Sequence, residues 1–400
     1  MKLIGARLID GTGAAPIENA TLILDERVRD IASDNRLADY PDPDTLDIGG
    51  RTVMPGLINA HVHLTHDAGA PDPLKALRDE PPAVTAIRAA SRARRMLEAG
   101  ITTARDVGGV DFIELAVRDL IKRGEIPGPR LLCAGKQITM TGGQGWPMGR
   151  ESDGPDEVRK AVREQLKAGA DLIKLMATGG VLTPGVEPGT AQLTEDELRA
   201  GASEARRAGR RTAVHAQGIE GMKAAIRAGI DTIEHGVFLD DEAAAMMKER
   251  DLVFVPTLAA AYRITQAGRA RGIPQYAMDK MGRINAANTH TFQLAWRAGV
   301  IIAAGNDGGT PFNPHEDLMT ELRLMAEAGV PPLDAIRAGT WGSARALGLE
   351  DELGTIECGK WADLVVLDGD PLVDLTAVSR VWCVLQHGTV VHRATTERGR

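Results

Sequence analysis

Between Val53 and about Gly348 the sequence alternates eight short apolar runs, rich in β-branched residues, with segments of helical periodicity. This alternation is typical of repeated βα units on a parallel sheet. Eight strands are the number that closes a (β/α)8 TIM barrel, so the sequence predicts an α/β fold built around such a barrel. The runs are Val53–His63, Ile101–Val107, Arg130–Thr139, Leu172–Ala177, Thr212–Ala216, Thr232–Val237, Leu252–Leu258 and Val300–Ala304.

Two of the intervening helices are predicted from local patterns. In Asp156–Ala168 apolar residues recur every four positions, which predicts one buried stripe with charged residues opposite. Thr194 followed by Glu197 forms a capping box, because the hydroxyl can accept from the N3 amide while the carboxylate accepts from the cap amide. We therefore expect a helix to begin after Thr194.

The two ends of the chain have a different pattern, in which short alternating runs are separated by Gly, Pro and Asp. We expect these ends to pair into one small β domain, made of residues 1–52 and 350–400, beside a barrel of residues 53–349. The predicted strands are Lys2–Ile9, Ala20–Asp25, Thr45–Ile48, Gly354–Glu357, Ala362–Leu367, Val381–Gln386 and Thr389–His392.

Composition excludes several classes of protein. The 47 basic and 55 acidic residues are mixed along the chain and leave a net charge of −8, which argues against a nucleic-acid partner. Three cysteines are an odd number and include no CxxC pair, so a disulfide framework or a cysteine zinc site is not predicted. No apolar stretch approaches the ~20 residues of a membrane helix. We expect a cytoplasmic protein without a membrane partner.

Polar residues stand at the carboxyl ends of several predicted barrel strands, where TIM barrels build their active sites. His61 and His63 are two positions apart on one strand, so both imidazoles point to the same face and can share a metal ion. Taken alone, this pair is equally consistent with two histidines in a core. Four of the nine histidines lie at such strand ends, however, and chance does not explain that placement. The further residues at these ends are Lys174, His215, His235 and Asp307.

Lys174 is unusual because it interrupts an apolar strand, where a cation would be desolvated at high cost. Burial lowers the pKa of a lysine, and the neutral amine can add carbon dioxide to form a carbamate. That carbamate would be an anionic ligand able to bridge two divalent ions. The alternative is a structural ion pair with Asp171 or Glu195.

The motifs taken in order resemble the amidohydrolase superfamily, in its imidazolonepropionase-like and prolidase-like branch. The resemblance runs from GARLIDGTG and MPGLINAHVHL through GITTARDVGG, the Lys174 strand, VHAQG, EHG and GNDGG to GTIECGKWADLVVLDGDP. It implies a TIM barrel with a small β-sandwich domain formed by both chain ends. It also implies two divalent metal ions, usually zinc. His61, His63 and Asp307 would hold one ion, His215 and His235 the other, and a carbamate on Lys174 would bridge them.

The resemblance implies hydrolysis of an amide-type C–N bond in a dipeptide, an N-acyl amino acid or a related small amide. Two cations would lower the pKa of a water between them, so that hydroxide is available near neutral pH. Asp307 would accept the proton and deliver it to the leaving nitrogen. A helix-capping role for Asp307 is compatible with this role. We also expect a homo-oligomer.

The sequence indicates the substrate-contacting residues less specifically than the metal ligands. Gln144 and Gln217 stand where relatives often carry histidines, and each can still form hydrogen bonds. Arg105 is a candidate clamp for a substrate carboxylate, although an Arg-Asp pair at a strand end is more often structural. Phe238 and Tyr262 follow strands and are further lining candidates. His66 is expected behind the ligands or facing solvent, and His290 and His315 in packing or surface positions.

Other functions are compatible with parts of this pattern. An arylurea or carbamate hydrolase would use the same centre. A one-metal imidazolone-ring hydrolase or deaminase commonly dispenses with the strand lysine, so Lys174 counts against it. A non-catalytic scaffold should have lost ligands, and none of the six positions is lost.

Overall fold

The computed structural model describes residues 1–33, 37, 40–41 and 44–394. Its strands are β1 (Lys2–Leu8), β2 (Ile17–Leu24), β3 (Val28–Ala32), β4 (Thr45–Asp47), β5 (Thr52–Pro55), β6 (Leu57–Val62), β7 (Ile101–Asp106), β8 (Arg130–Cys133), β9 (Ile138–Thr139), β10 (Arg150–Glu151), β11 (Leu172–Met176), β12 (Arg211–Ala216), β13 (Thr232–His235), β14 (Val253–Val255), β15 (Ile301–Ile302), β16 (Leu364–Leu367), β17 (Val381–Gln386) and β18 (Thr389–Arg393).

The α-helices are α1 (Pro73–Asp79), α2 (Pro82–Glu98), α3 (Ile113–Lys122), α4 (Pro155–Ala168), α5 (Glu195–Arg207), α6 (Ile219–Ala228), α7 (Asp241–Glu249), α8 (Leu258–Ala267), α9 (Gln275–Ala298), α10 (Leu318–Glu327), α11 (Pro332–Arg337) and α12 (Ser343–Leu347). Short 3-10 turns cover Arg269–Arg271 and Leu375–Ser379, and a π-helical turn covers Ala338–Gly342.

Eight parallel strands, β6, β7, β8 and β11 to β15, form the predicted TIM barrel. Parallel pairing joins β6 to β8 and β11 to β15. The two groups meet where Asp171 N donates to Cys133 O at 2.8 Å, and the barrel closes where Ala60 N donates to Ala304 O at 2.9 Å. Strands and surrounding helices share a large apolar core, and the remaining barrel-strand residues are mostly buried in smaller clusters.

Two of the predicted barrel strands are divided in the structure. Residues 53–55 belong to β5, which pairs outside the barrel, and the barrel strand itself begins at Leu57. The chain passes between them at Gly56, where a Cβ atom would lie 2.2 Å from Thr102 Oγ1, so only glycine fits. The run Arg130–Thr139 likewise splits into β8 and β9, because the chain turns at Gly135 with a φ of +72°.

Both helix predictions are confirmed. The first helix is α4, which begins one residue earlier than expected and buries Val158 and Val162. The second is α5, whose capping box is complete. Thr194 N donates to Glu197 Oε2 at 2.7 Å, and Glu197 N donates to Thr194 Oγ1 at 3.4 Å.

Strands from both chain ends form one eight-stranded sheet beside the barrel. Its order is β18-β17-β16-β5-β1-β2-β3, with β4 also paired to β1. The predicted strand Gly354–Glu357 is wrong, since this segment bends and Ile356 N donates to Asp10 O at 2.8 Å instead of joining a ladder. The sandwich form and the division into residues 1–52 plus 350–400 and 53–349 stay predictions.

Asp363 links this sheet to the barrel. Its Oδ2 accepts from Arg130 Nη1 at 2.7 Å, its Oδ1 from His387 N at 2.8 Å, and its carbonyl oxygen from Gly56 N at 2.8 Å. The three cysteines are free. In the part of the chain that the structure describes, no helix combines the length and the apolar character needed to cross a membrane.

Candidate active site

Four buried histidines meet at the carboxyl end of the barrel. His61 and His63 lie at the end of β6, His215 lies in β12, and His235 ends β13. Neighbouring ring centroids are 4.6 to 5.4 Å apart along the series His63, His61, His235 and His215. The structure therefore brings together the four histidines that the sequence singled out.

Asp307 approaches two of these histidines from the segment after β15. Its Oδ1 lies 3.5 Å from Nε2 of both His61 and His63 and has no hydrogen-bond partner. One ligand atom from each of the three residues lies within 4.8 Å of the others. Two imidazoles and a carboxylate so placed are suitable ligands for one divalent ion. Burial raises the pKa of the Asp307 carboxyl to about 7.

Each histidine is oriented by a hydrogen bond on one ring nitrogen. His61 Nδ1 donates to Glu234 Oε2 at 2.7 Å, and His63 Nδ1 donates to Gly108 O at 2.8 Å. His215 Nε2 donates to Gly179 O at 3.0 Å, and His235 Nδ1 pairs with Thr257 Oγ1 at 2.7 Å. The opposite nitrogen of every ring is thereby left to bind, which is the arrangement that metal-ligating histidines typically have.

Lys174 lies among these groups on β11 and is 2% exposed. Its Nζ has no hydrogen-bond partner, and burial lowers the pKa of this amine to about 8. A buried, unpartnered ammonium is costly, whereas the neutral amine is the form that adds carbon dioxide. The neutral Lys174 amine thus lies beside a group of His61, His63 and Asp307 that suits a divalent metal ion.

The alternative of a structural ion pair at Lys174 is wrong. Asp171 instead accepts from Arg118 Nη1 at 2.6 Å, and Glu195 accepts from Arg227 Nε at 2.7 Å. Both carboxylates are thus paired with arginines and not with Lys174.

The prediction that Arg105 clamps the substrate is also wrong. Arg105 is buried below the centre, where its Nη2 donates to Glu234 Oε1 at 2.8 Å and its Nε donates to Ala60 O at 2.6 Å. Glu234 thus connects Arg105 to His61. Glu234 is not among the residues predicted from the sequence, where its only signal is its place beside His235 at a strand end.

Two further histidines contact His63. His66 is buried, not solvent-facing, and its ring stacks on His63 at a centroid distance of 4.6 Å. His315 is buried too, and its Nε2 donates to His63 O at 2.8 Å. His290 is exposed on α9, as expected. The segment that follows the HxH motif is therefore held from two sides.

A cavity of about 820 Å³, including its open mouth, lies above the histidines, Lys174 and Asp307. Gln144 and Gln217 line it, as predicted. Phe238 and Tyr262 do not, so these two predictions are wrong. Phe238 borders a separate surface hollow with Arg283, and Tyr262 lies under the guanidinium of Arg323 at 5.0 Å. Their places in the cavity are taken by aliphatic residues from the loop after β11 and from α8 and α9.

The amidohydrolase family matches residues 52–391, which include the whole barrel. The chain belongs to this family and is a hydrolase acting on carbon-nitrogen bonds.

Three relatives illustrate the range of this family. The chain is 30% identical to ochratoxinase of Aspergillus niger over 412 residues, which cover 94% of this chain and 84% of that protein. It is 25% identical to imidazolonepropionase of Micrococcus luteus, with 92% of each chain covered. A solved Xaa-Pro dipeptidase, with methionine bound in its active site, is 33% identical and has a TM-score of 0.88 over 98% of this chain and 99% of that one. The resemblance to the imidazolonepropionase-like and prolidase-like branch is thereby confirmed.

Proposed function

We propose that this protein is a binuclear metal-dependent hydrolase that cleaves an amide-type C–N bond in a small substrate. Two divalent ions, zinc by preference, would be held by His61, His63 and Asp307 on one side and by His215 and His235 on the other. A carbamate on Lys174 would bridge them. The observation that carries this proposal is the buried Lys174 amine, which has no hydrogen-bond partner and stands among four oriented histidines.

The ions would lower the pKa of a water and polarise the substrate carbonyl. The chain supplies the proton transfer. The Asp307 carboxylate accepts a proton as water attacks the carbonyl carbon, and then returns it to the nitrogen of the breaking C–N bond. Cleavage requires this second transfer, because an unprotonated amine anion is a very poor leaving group.

The supporting hydrogen bonds keep these groups in place during turnover. Glu234 fixes the ring of His61, and Arg105 in turn fixes Glu234. A one-metal ring hydrolase or deaminase would leave the Lys174 amine without a purpose, and a non-catalytic scaffold would not need a complete donor set. An arylurea or carbamate hydrolase remains the second candidate, since it would use the same centre.

Metal analysis combined with a substrate panel tests the proposal. Protein purified with zinc in the medium should contain close to two ions per chain. It should hydrolyse at least one member of a panel of dipeptides, N-acyl amino acids, simple amides and aryl ureas, and chelation should abolish that activity. A preparation that holds one ion and is still fully active would refute the binuclear centre.

A further inference from the structure

The cavity above the centre has a polar floor and an apolar wall. The floor consists of the barrel-strand residues described above. The wall is contributed by the loop after β11, the segment after β13, and helices α8 and α9. We use the name apolar wall for six of its aliphatic residues, namely Val181, Leu182, Val237, Ile264, Met281 and Ile284.

The cavity lining carries almost no fixed charge. Among its residues, all of which the structure describes, there is no arginine, and the only lysine is Lys174, which the proposed centre uses. Lys280, a cation of the wall helix α9, is buried and occupied elsewhere. Its Nζ donates to the carbonyl oxygens of Gly180, Val181 and Thr183 at 3.3, 3.4 and 2.6 Å. No side-chain cation of the lining is therefore left to pair with a substrate carboxylate.

Two glutamines offer hydrogen-bond acceptors at the junction of floor and wall. The Oε1 atoms of Gln144 and Gln217 are buried and have no partner. Both backbones are fixed, since Gln144 N donates to Gln192 Oε1 at 2.9 Å and Gln217 N donates to Thr178 Oγ1 at 2.8 Å. Amide oxygens accept hydrogen bonds, so they are suited to an N–H group of a bound molecule.

We propose that the cavity selects uncharged secondary amides that carry an apolar substituent and no free carboxylate. This inference rests on the proposed amide hydrolysis. The apolar substituent would lie against the apolar wall, and the amide N–H would donate to a glutamine oxygen. A carboxylate placed in the same wall would lose its hydration without gaining a cation, and such a transfer is strongly unfavourable.

Size-matched substrates test this selectivity. N-(4-phenylbutanoyl)phenylalanine and N-(4-phenylbutanoyl)phenylalaninamide share the scissile amide and differ in whether the terminal group is a carboxylate or a neutral carboxamide. With the zinc-loaded enzyme, we expect kcat/KM to be at least tenfold higher for the carboxamide. Equal rates, or a preference for the carboxylate, would overturn the inference.

The same pair separates this inference from the proposed function. If neither compound is hydrolysed, the amidase proposal fails for this class, and calorimetric titration of the uncleaved compounds then decides the selectivity. At least tenfold tighter binding of the carboxamide supports the inference even in that case. Equal affinities contradict it.

A variant that adds a cation to the wall provides the reciprocal test. Leu182 is partly exposed, so Leu182→Arg can be accommodated without burying the new charge completely. We expect Leu182→Arg to reduce the tenfold preference at least threefold, relative to the neutral variant Leu182→Gln measured beside it, by improving the carboxylate substrate. If folded, metal-loaded Leu182→Arg keeps the full preference for the carboxamide, the lack of charge in the wall is not the cause of that preference.

Discussion

At the scale of single residues, the proposed centre depends most on the chemical state of Lys174. Lys174→Ala should lose metal and turnover together, because it removes the bridging anion. Short-chain carboxylates or bicarbonate should restore part of both by filling the vacated position. Metal content by elemental analysis and turnover of the same samples provide the measurement.

Lys174→Arg is the matched control for charge. A guanidinium stays cationic and cannot be carboxylated, so this variant should also lack metal and activity. An active and fully metallated Lys174→Arg enzyme would eliminate the carbamate.

Asp307→Asn tests the proton transfer with little disturbance of the backbone. Asp307 has a φ of +57°, a left-handed conformation that Asn adopts more readily than most residues. The variant should keep the fold and much of the metal. Its kcat should fall by about 10²- to 10⁴-fold, the range typical of a lost general acid-base group, because an amide cannot carry the proton. Circular dichroism, metal content and kcat measured together check this outcome, and near-normal turnover would remove Asp307 from the mechanism.

The candidate ligands could be proposed from the sequence because each one interrupts or ends an apolar run, where a polar side chain has no structural reason to be. Arg105 and Glu234 could not be interpreted in the same way. Both also lie at strand ends, but their roles depend on a contact between residues 129 positions apart in the sequence. Only the strand order of the barrel places them side by side. The predictions that Phe238 and Tyr262 line the cavity failed for a related reason, since the direction of a side chain after a strand depends on the path of the loop.

At the scale of helices and strands, a carboxyl group from one helix caps the amino end of another helix. Glu321 of α10 accepts hydrogen bonds from Leu258 N at 2.9 Å and Ala259 N at 2.7 Å, the first two amides of α8. The start of α8 borders the cavity, so this cap also positions part of the cavity lining. Burial raises the pKa of Glu321 from 4.5 to about 8.

This raised pKa predicts a pH dependence of stability. Between about pH 4.5 and 8 the folded chain keeps the Glu321 proton while the unfolded chain releases it. The unfolded state binds fewer protons in this range, so the contribution of Glu321 to the free energy of unfolding falls as pH rises and is constant above about pH 8. In Glu321→Gln this fall in the free energy of unfolding should be absent, because glutamine does not titrate.

Urea unfolding of both proteins at pH 5 and pH 8 measures the effect. From pH 5 to pH 8, the free energy of unfolding of Glu321→Gln should rise by at least about 1 kcal/mol relative to that of the parent. This difference corresponds to less than one unit of pKa shift. The same difference between the two proteins at both pH values would show that Glu321 is ionised when buried.

Strand boundaries show where periodicity stops being informative. The apolar run from Val53 to His63 reads as one strand, because both β5 and β6 are fully buried. The close approach of Thr102 to Gly56 divides them, and that contact is not encoded in the run itself. The alternation of strands and helices was sufficient for the barrel, whereas the two-residue strand β10 lies outside every predicted run.

At the scale of the whole molecule, the proposed ions would join distant parts of the chain. Their ligands come from β6, β11, β12, β13 and the segment after β15, and these elements surround the barrel axis. Zinc that binds only the folded state should therefore stabilise the entire barrel, by about 2.7 kcal/mol at a free concentration one hundred times Kd.

Thermal unfolding with chelator and with added zinc tests this expectation. The midpoint should rise with zinc in the parent protein and rise much less in Lys174→Ala, which lacks the bridging ligand. Identical midpoints with and without zinc in the parent would contradict a metal centre that links the strands.

The sheet shared by the two chain ends also has a consequence for synthesis. Thr52 of β5 pairs with Leu367 of β16, so these partners leave the ribosome more than 300 residues apart. At 5–20 residues per second, β5 waits roughly 15 to 60 s for its neighbour. During that time Val53 and the other apolar residues of the N-terminal strands lack their final cover. Overexpression at lower temperature or with extra chaperone should therefore raise the yield of folded enzyme, because this sheet is completed only after strands made more than 300 residues later have joined it.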